Sequence, residues 1–248
     1  MNSEKKTNKT VRIYGNVLET VEYEKAPSKI RISTPRKRNR VYGRRRLDNI
    51  KRTRKICVRR VLSAIEEFGN PLLVTFTFAG DASDAANAND SLRRFQVRVR
   101  NKYPEAQSLF VPELSKRGRI HFHGLLFNVP LHLGDTKRGR RIVSHGTERK
   151  TRELAKLWGE GFVDARQTDG SGRLAYYISK YITKGGDELI FAPMRMLRVS
   201  RGFPKEFYDR GSFAEILHEK YKDKEPVKVW EGRNDFLGKV TKKTYYLE

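Results

Sequence analysis

The chain has 248 residues, and 53 Lys and Arg against 29 Asp and Glu give it a formal net charge of +24. An excess of that size points to a polyanionic partner, and nucleic acid, whose phosphates release counterions when neutralised, is the expected one. Cys57 is the only cysteine, which excludes an intrachain disulfide and cysteine-based zinc sites; with no long apolar span and no signal-peptide pattern in the polar start, a soluble cytoplasmic protein without a membrane partner is expected.

In chain order, Val11 to Leu18 alternates weakly, and a dense cationic tract follows that includes Arg36, Lys37, Arg38, Arg44, Arg45 and Arg46. Blocks of like charge commonly serve as nucleic-acid arms, so residues 1–60 are read as a basic arm, partly disordered or helical, with those six residues on DNA. From Leu47 apolar residues recur at helical spacing as far as Phe68, where Gly69 stops the helix. Leu72 to Phe78 is β-branched and aromatic and reads as a buried strand, with Thr75 and Thr77 on a sheet surface. Asp81 to Asp90 reads as a loop, with Asn89 or Asp90 capping a helix that buries Leu92, Phe95 and Val99 and ends at Lys102-Tyr103-Pro104.

Leu109 to Leu114 and Arg119 to Phe127 are two apolar runs joined by a turn with Gly118, the pattern of a β-hairpin. Successive strand side chains point to opposite faces, so His121 and His123 emerge together while Phe122 enters the layer beneath. Arg117 lies midway between Glu113 and His121, which makes those two cross-strand partners with Cβ atoms roughly 4.5–5.5 Å apart. A carboxylate and two imidazoles then converge. This oxygen and nitrogen set, Glu113, His121 and His123, suits a divalent metal, Mg²⁺ or Mn²⁺ as readily as Zn²⁺. Pro112 removes one ladder donor and marks an edge or a bulge.

Pro130 to Thr147 reads as a loop in which His132 and His145 have no partner at ligand spacing. A helix over Glu148 to Trp158 and a short strand over Gly161 to Ala165 follow. The next helix, Arg173 to Lys184, sets Leu174, Ile178 and Ile182 on one stripe and Tyr177, Tyr181 and Lys184 on a neighbouring one. Two phenols share a face. A phenolate is a capable oxygen nucleophile, but with an ordinary pKa of about 10 it needs a cation or a base nearby, and Lys180 and Lys184 supply charge. The combination predicts tyrosine attack on a DNA phosphodiester, assisted by the metal.

The succession LLVTFTF, then HFHG with an upstream Glu, then YISKYITK resembles the His-hydrophobic-His endonucleases, and in particular the paired-tyrosine rolling-circle replication initiators of small single-stranded DNA phages. The resemblance covers about residues 72–184. It implies an α/β (α+β) fold with a central antiparallel sheet of about five strands flanked by helices, and Glu113, His121 and His123 as ligands of Mg²⁺ or Mn²⁺. It further implies Tyr177 and Tyr181 as nucleophiles assisted by Lys180 and Lys184, a 5′-phosphotyrosyl link, and a 3′-hydroxyl that primes synthesis. The partners are then a single-stranded DNA origin, a host helicase and a polymerase; the chain has no Gly-rich loop ending in Gly-Lys-Ser/Thr that would make it a helicase itself. Residues 61–205 are the expected nuclease core and 206–248 a C-terminal extension of unassigned role, with a helix near Phe213 to Tyr221 and a final run, Lys239 to Tyr246, as an edge strand or tail. The alternatives are a transposase or relaxase of the same superfamily and a non-catalytic module that holds single strands by charge and stacking.

Overall fold

The computed structural model describes residues 7–26, 47–80, 83–115, 117–129, 148–184 and 194–247, without the side chains of 47–48, 148–152 and 183–184. The elements are β1 (Lys9–Tyr14), β2 (Val17–Tyr23), α1 (Leu47–Phe68), β3 (Leu72–Phe76), α2 (Ala85–Lys102), β4 (Gln107–Leu114), β5 (Ile120–Phe127), α3 (Glu148–Trp158), β6 (Val163–Gln167), α4 (Arg173–Ser179), α5 (Tyr181–Lys184), β7 (Arg198–Val199), β8 (Phe207–Asp209), α6 (Ser212–Lys220), β9 (Lys228–Asn234) and β10 (Gly238–Tyr246). Two antiparallel five-stranded sheets result, as the α/β reading requires, although the sequence led us to expect only one. The described residues from 47 to 204 form one compact unit, and 7–26 with 205–247 form the other.

In the first unit the strand order is β6-β3-β5-β4-β7, which puts the two-histidine strand at the centre. Alternation sends Phe76, Phe110, Ile120, Phe122 and Leu126 to one face, under Leu92, Phe95 and Val99 of α2 and Leu154 and Trp158 of α3. Phe76 stacks on Trp158 at 4.9 Å and meets Phe95 edge-on at 4.5 Å, contacts worth about 0.5–1.5 kcal/mol each beyond area burial. The Trp158 indole N–H donates to the Thr77 carbonyl at 2.8 Å, so the ring is buried without an orphaned donor. The other face carries Leu109, Val111, Leu125 and Phe127 beneath Cys57, Val61 and Ala64 of α1 and Leu174, Ala175 and Ile178 of α4. Cys57 is core packing, and burial pushes its thiol up to about 12.

Local chemistry moved three sequence boundaries. α2 starts at Ala85, ahead of the expected cap at Asn89 or Asp90, because the Asp84 carboxylate accepts the Ala86 N–H at 2.7 Å and the alanines that follow have high helix propensity. The helix expected over Arg173 to Lys184 tightens at Lys180, whose N–H reaches the Tyr177 carbonyl at 3.2 Å, and divides into α4 and α5. Pro112 lies past the short β4–β7 ladder at Leu109 and Phe110, on the stretch of β4 paired only with β5 among the described residues.

In the second unit the order is β8-β1-β2-β10-β9. Strands from the region read as an N-terminal arm and from the region read as a C-terminal extension therefore share one sheet, while α1, which begins at Leu47, packs in the other unit. The run Lys239 to Tyr246 is an interior strand, hydrogen bonded to both β2 and β9. No apolar alternation in Lys228 to Asn234 announced β9. α6 covers one face of this sheet by burying Ala214, Leu217 and Tyr221 against Val11, Leu18 and Tyr245.

Gly124 follows His123 directly, and a Cβ there would overlap the Phe110 ring and the Leu109 carbonyl. A carbonyl in a paired strand cannot move aside. Gly124→Ala is expected to destabilise the protein by about 1–3 kcal/mol, read as a lower urea midpoint with an unchanged denaturant slope.

Candidate active site

The register of the central hairpin is the one inferred from Arg117: Glu113 opposes His121 and Val111 opposes His123. β3 adds Thr75 opposite His123, and β6 adds Asp164 opposite Thr75. All of these side chains leave the sheet on the face that carries Leu125 and Phe127 further along β5, where the apolar layer under α1 and α4 gives way to polar groups. The Glu113 Oε2 and His123 Nε2 lie 2.5 Å apart, and both side chains are largely buried. The Thr75 hydroxyl meets His123 Nδ1 at 3.2 Å, so both ring nitrogens are engaged. Burial holds the His121 pKa below its ordinary value against the attraction of Glu113, with Arg119 acting in the same direction as burial.

Tyr181 lies flat on His123, with ring centroids 3.6 Å apart and planes within 11°. Its hydroxyl donates to the Tyr177 hydroxyl at 2.8 Å, and the two phenol rings meet edge to face at 5.6 Å. The break in the helix at Lys180 accompanies this convergence. Burial, the Tyr177 bond and the Glu113 charge all raise the Tyr181 pKa. Tyr177 is the more open of the two, 41% exposed, and the Lys180 ammonium stands 5.7 Å from its ring centroid.

The structure thus gathers Glu113, His121, His123, Tyr177, Tyr181 and Lys180 at one place. Among the described residues, no three His, Cys, Asp or Glu side chains are set as a metal cluster as they stand. The Lys184 side chain, Arg36, Lys37, Arg38, Arg44, Arg45, Arg46, His132 and His145 lie outside the described residues.

Two supporting residues carried no signal in the sequence. Arg119 donates from one nitrogen to the Phe78 carbonyl at 2.7 Å and the Gly80 carbonyl at 2.6 Å, which ties the end of β3 to the start of β5. Arg54 of α1 reaches the Ser179 hydroxyl at 3.4 Å, and Lys51, Arg52 and Lys55 are exposed on the same helix. Basic residues read as part of an arm therefore belong to a helix that packs on α4.

Residues 71–186 match the family model described as the replication-associated protein ORF2 family. The match runs from just before β3 to just past α5, so it takes in every strand and helix that supplies a residue to this site. It is consistent with a replication initiator that acts on DNA. The sheet of β1, β2, β8, β9 and β10 lies outside the matched segment. No curated protein and no solved structure matches the chain. Among the described residues, no helix is long and apolar enough to cross a membrane.

Because the Tyr177 hydroxyl contributes to the raised pKa of Tyr181, Tyr177→Phe is expected to bring the Tyr181 pKa down. Titration of ¹³C-labelled tyrosine by NMR checks the direction.

Proposed function

We propose that the chain is a rolling-circle replication initiator of the two-histidine, paired-tyrosine kind, a nickase and strand-transferase on single-stranded origin DNA. The observation that carries this reading is the pair of phenol oxygens 2.8 Å apart, one ring resting on a histidine that is bonded to a carboxylate.

The residues fit a divalent cation. Glu113 Oε2 and His123 Nε2 face each other across 2.5 Å, so a small rotation of either opens the gap that two ligands of one ion need, and burial keeps His121 in the neutral form that ligates. Glu113, His121 and His123 would hold Mg²⁺ or Mn²⁺, which supplies polarisation of the scissile phosphate and stabilisation of its developing charge. Thr75 fits both states of the site. Its hydroxyl donates to Nδ1 when the proton is on Nε2, and accepts from Nδ1–H when Nε2 is a ligand.

The chain's own groups do the rest. A tyrosine Oη attacks phosphorus, its proton leaves to solvent or to the neighbouring phenol, and the P–O3′ bond breaks. The products are a 5′-phosphotyrosine and a 3′-hydroxyl that a polymerase extends, with a helicase opening the duplex ahead. Lys180 stabilises negative charge on Tyr177 and on the phosphate. With both hydroxyls at one point, the second tyrosine can attack the regenerated junction while the first still holds the earlier 5′ end. The freed 3′-hydroxyl then attacks the phosphotyrosyl bond, rejoins the DNA and releases the phenol.

Incubation with labelled single-stranded DNA from the chain's own replicon, with Mn²⁺ or chelator, tests this on a denaturing gel. A metal-dependent covalent adduct is expected for the protein and for Tyr177→Phe and Tyr181→Phe singly, and none for the double variant; an adduct from the double variant would refute the assignment. Thr75→Val is expected to weaken Mn²⁺ binding about 10- to 100-fold, with Thr75→Ser close to the parent, as measured by calorimetry on the double tyrosine variant.

A further inference from the structure

The second sheet carries a surface that the nicking reaction does not use. Register puts Trp230, Lys242, Val21 and Thr10 in one row on the face opposite α6, and Lys228, Thr244, Glu19, Arg12 and Tyr208 in the adjacent row. Tyr246 lies on the same face opposite Val17. Trp230 is 53% exposed and Tyr246 60%, whereas Trp158, the only other tryptophan, is fully buried. An exposed indole on a strand needs a reason.

Gly232 supplies one. The six-membered ring of Trp230 lies over its Cα and occupies the space where a side chain at that position would stand. The strand thus seats the indole against its own backbone, which limits its rotation and leaves the rest of the ring to solvent. Around it are cations: Lys242 directly across on β10, whose ammonium pairs with the buried Glu19, and Lys228 two residues away on the same side of β9. Arg12 sits over the Tyr208 ring at 4.3 Å and completes a second aromatic and cationic pair. An aromatic ring held against a strand and flanked by Lys and Arg is the arrangement that stacks a base and neutralises the phosphates beside it. Duplex DNA has no unstacked base to offer.

We propose that this face is a binding platform for single-stranded DNA, with Trp230 stacking a base and Lys228 and Lys242 contacting its flanking phosphates. The platform is separate from the tyrosine chemistry and lies outside the family match. Its occupant is argued from the +24 charge and the cations on the face, and it does not rest on the nicking reading.

The test uses the full chain with Tyr177→Phe and Tyr181→Phe in chelator, so that binding is read without cleavage. Titration with oligo-dT should quench the red-shifted emission of Trp230 and leave that of Trp158, and quenching should weaken as salt rises. Anisotropy of labelled oligo-dT should show affinity falling about 5- to 150-fold in Trp230→Ala, the range for one stacked base, and little in Trp230→Phe, which keeps a ring. Unchanged circular dichroism in both variants guards against misfolding. Equal affinity in the parent and Trp230→Ala overturns the proposal and leaves the tyrosine chemistry standing. If Trp230→Ala instead dissociates a dimer in sedimentation while DNA affinity holds, the face binds a second copy and the proposal fails. Loss of the covalent adduct alone, with quenching intact, fails the nicking reading and leaves the platform.

Discussion

The structure depends on β5 being buried on both faces over one half and on one face over the other. From Gly124 to Phe127 it lies between the layer of α2 and α3 and the layer of α1 and α4, and every residue there is buried. From Ile120 to His123 only Ile120 and Phe122 are buried. The period of two then leaves two polar residues on the α4 side just where its apolar cover ends. Histidines at those positions are held by a strand anchored in a core at one end and open to ligands at the other. Gly124 sits at the changeover, because the Phe110 ring crosses beneath it and leaves no room for a Cβ.

The tyrosines are placed by the same apolar layer. Leu174, Ala175 and Ile178 fix α4 on the sheet, and Ile182 fixes the turn after the tightening at Lys180. Tyr177 and Tyr181 ride at the margin of that contact, close enough for one ring to cover His123 and for their oxygens to bond. A continuous helix would also have set the two phenols on one side, at the i and i+4 positions. The position of the sheet beneath, a matter of packing, decides that they meet a histidine.

Much of this site was legible because it is local. Glu113 opposite His121 followed from counting across a turn, and the shared face of Tyr177 and Tyr181 followed from helical spacing; both rest on short-range geometry that a sequence states directly. The second sheet was not legible, because it joins β1 and β2 to β8, β9 and β10 across more than 180 residues, and its strands alternate poorly. β9 reads Lys228-Val229-Trp230-Glu231-Gly232-Arg233-Asn234, charged on both faces, so no period separates core from solvent. The Arg119 clamp was hidden for a different reason. Its partners are backbone carbonyls, which every residue has, so nothing in the sequence marks them.

The hydrogen bond between the two phenols also constrains how the proposed reaction begins. Each hydroxyl is partnered before DNA arrives, and Tyr181 is held neutral by burial, by Tyr177 and by the Glu113 charge. A phosphate entering beside His123 must exchange the phenol–phenol bond for bonds of its own. It brings negative charge to a place where a cation held by Glu113, His121 and His123 would offset it, so ionisation of a tyrosine becomes favourable only when metal and DNA are both present. A lone phenol kept ionised would need no such coincidence, and it would also be open to unwanted electrophiles between replication cycles. Pairing two tyrosines therefore does more than provide two acceptors for two strand ends: each keeps the other protonated until the substrate separates them.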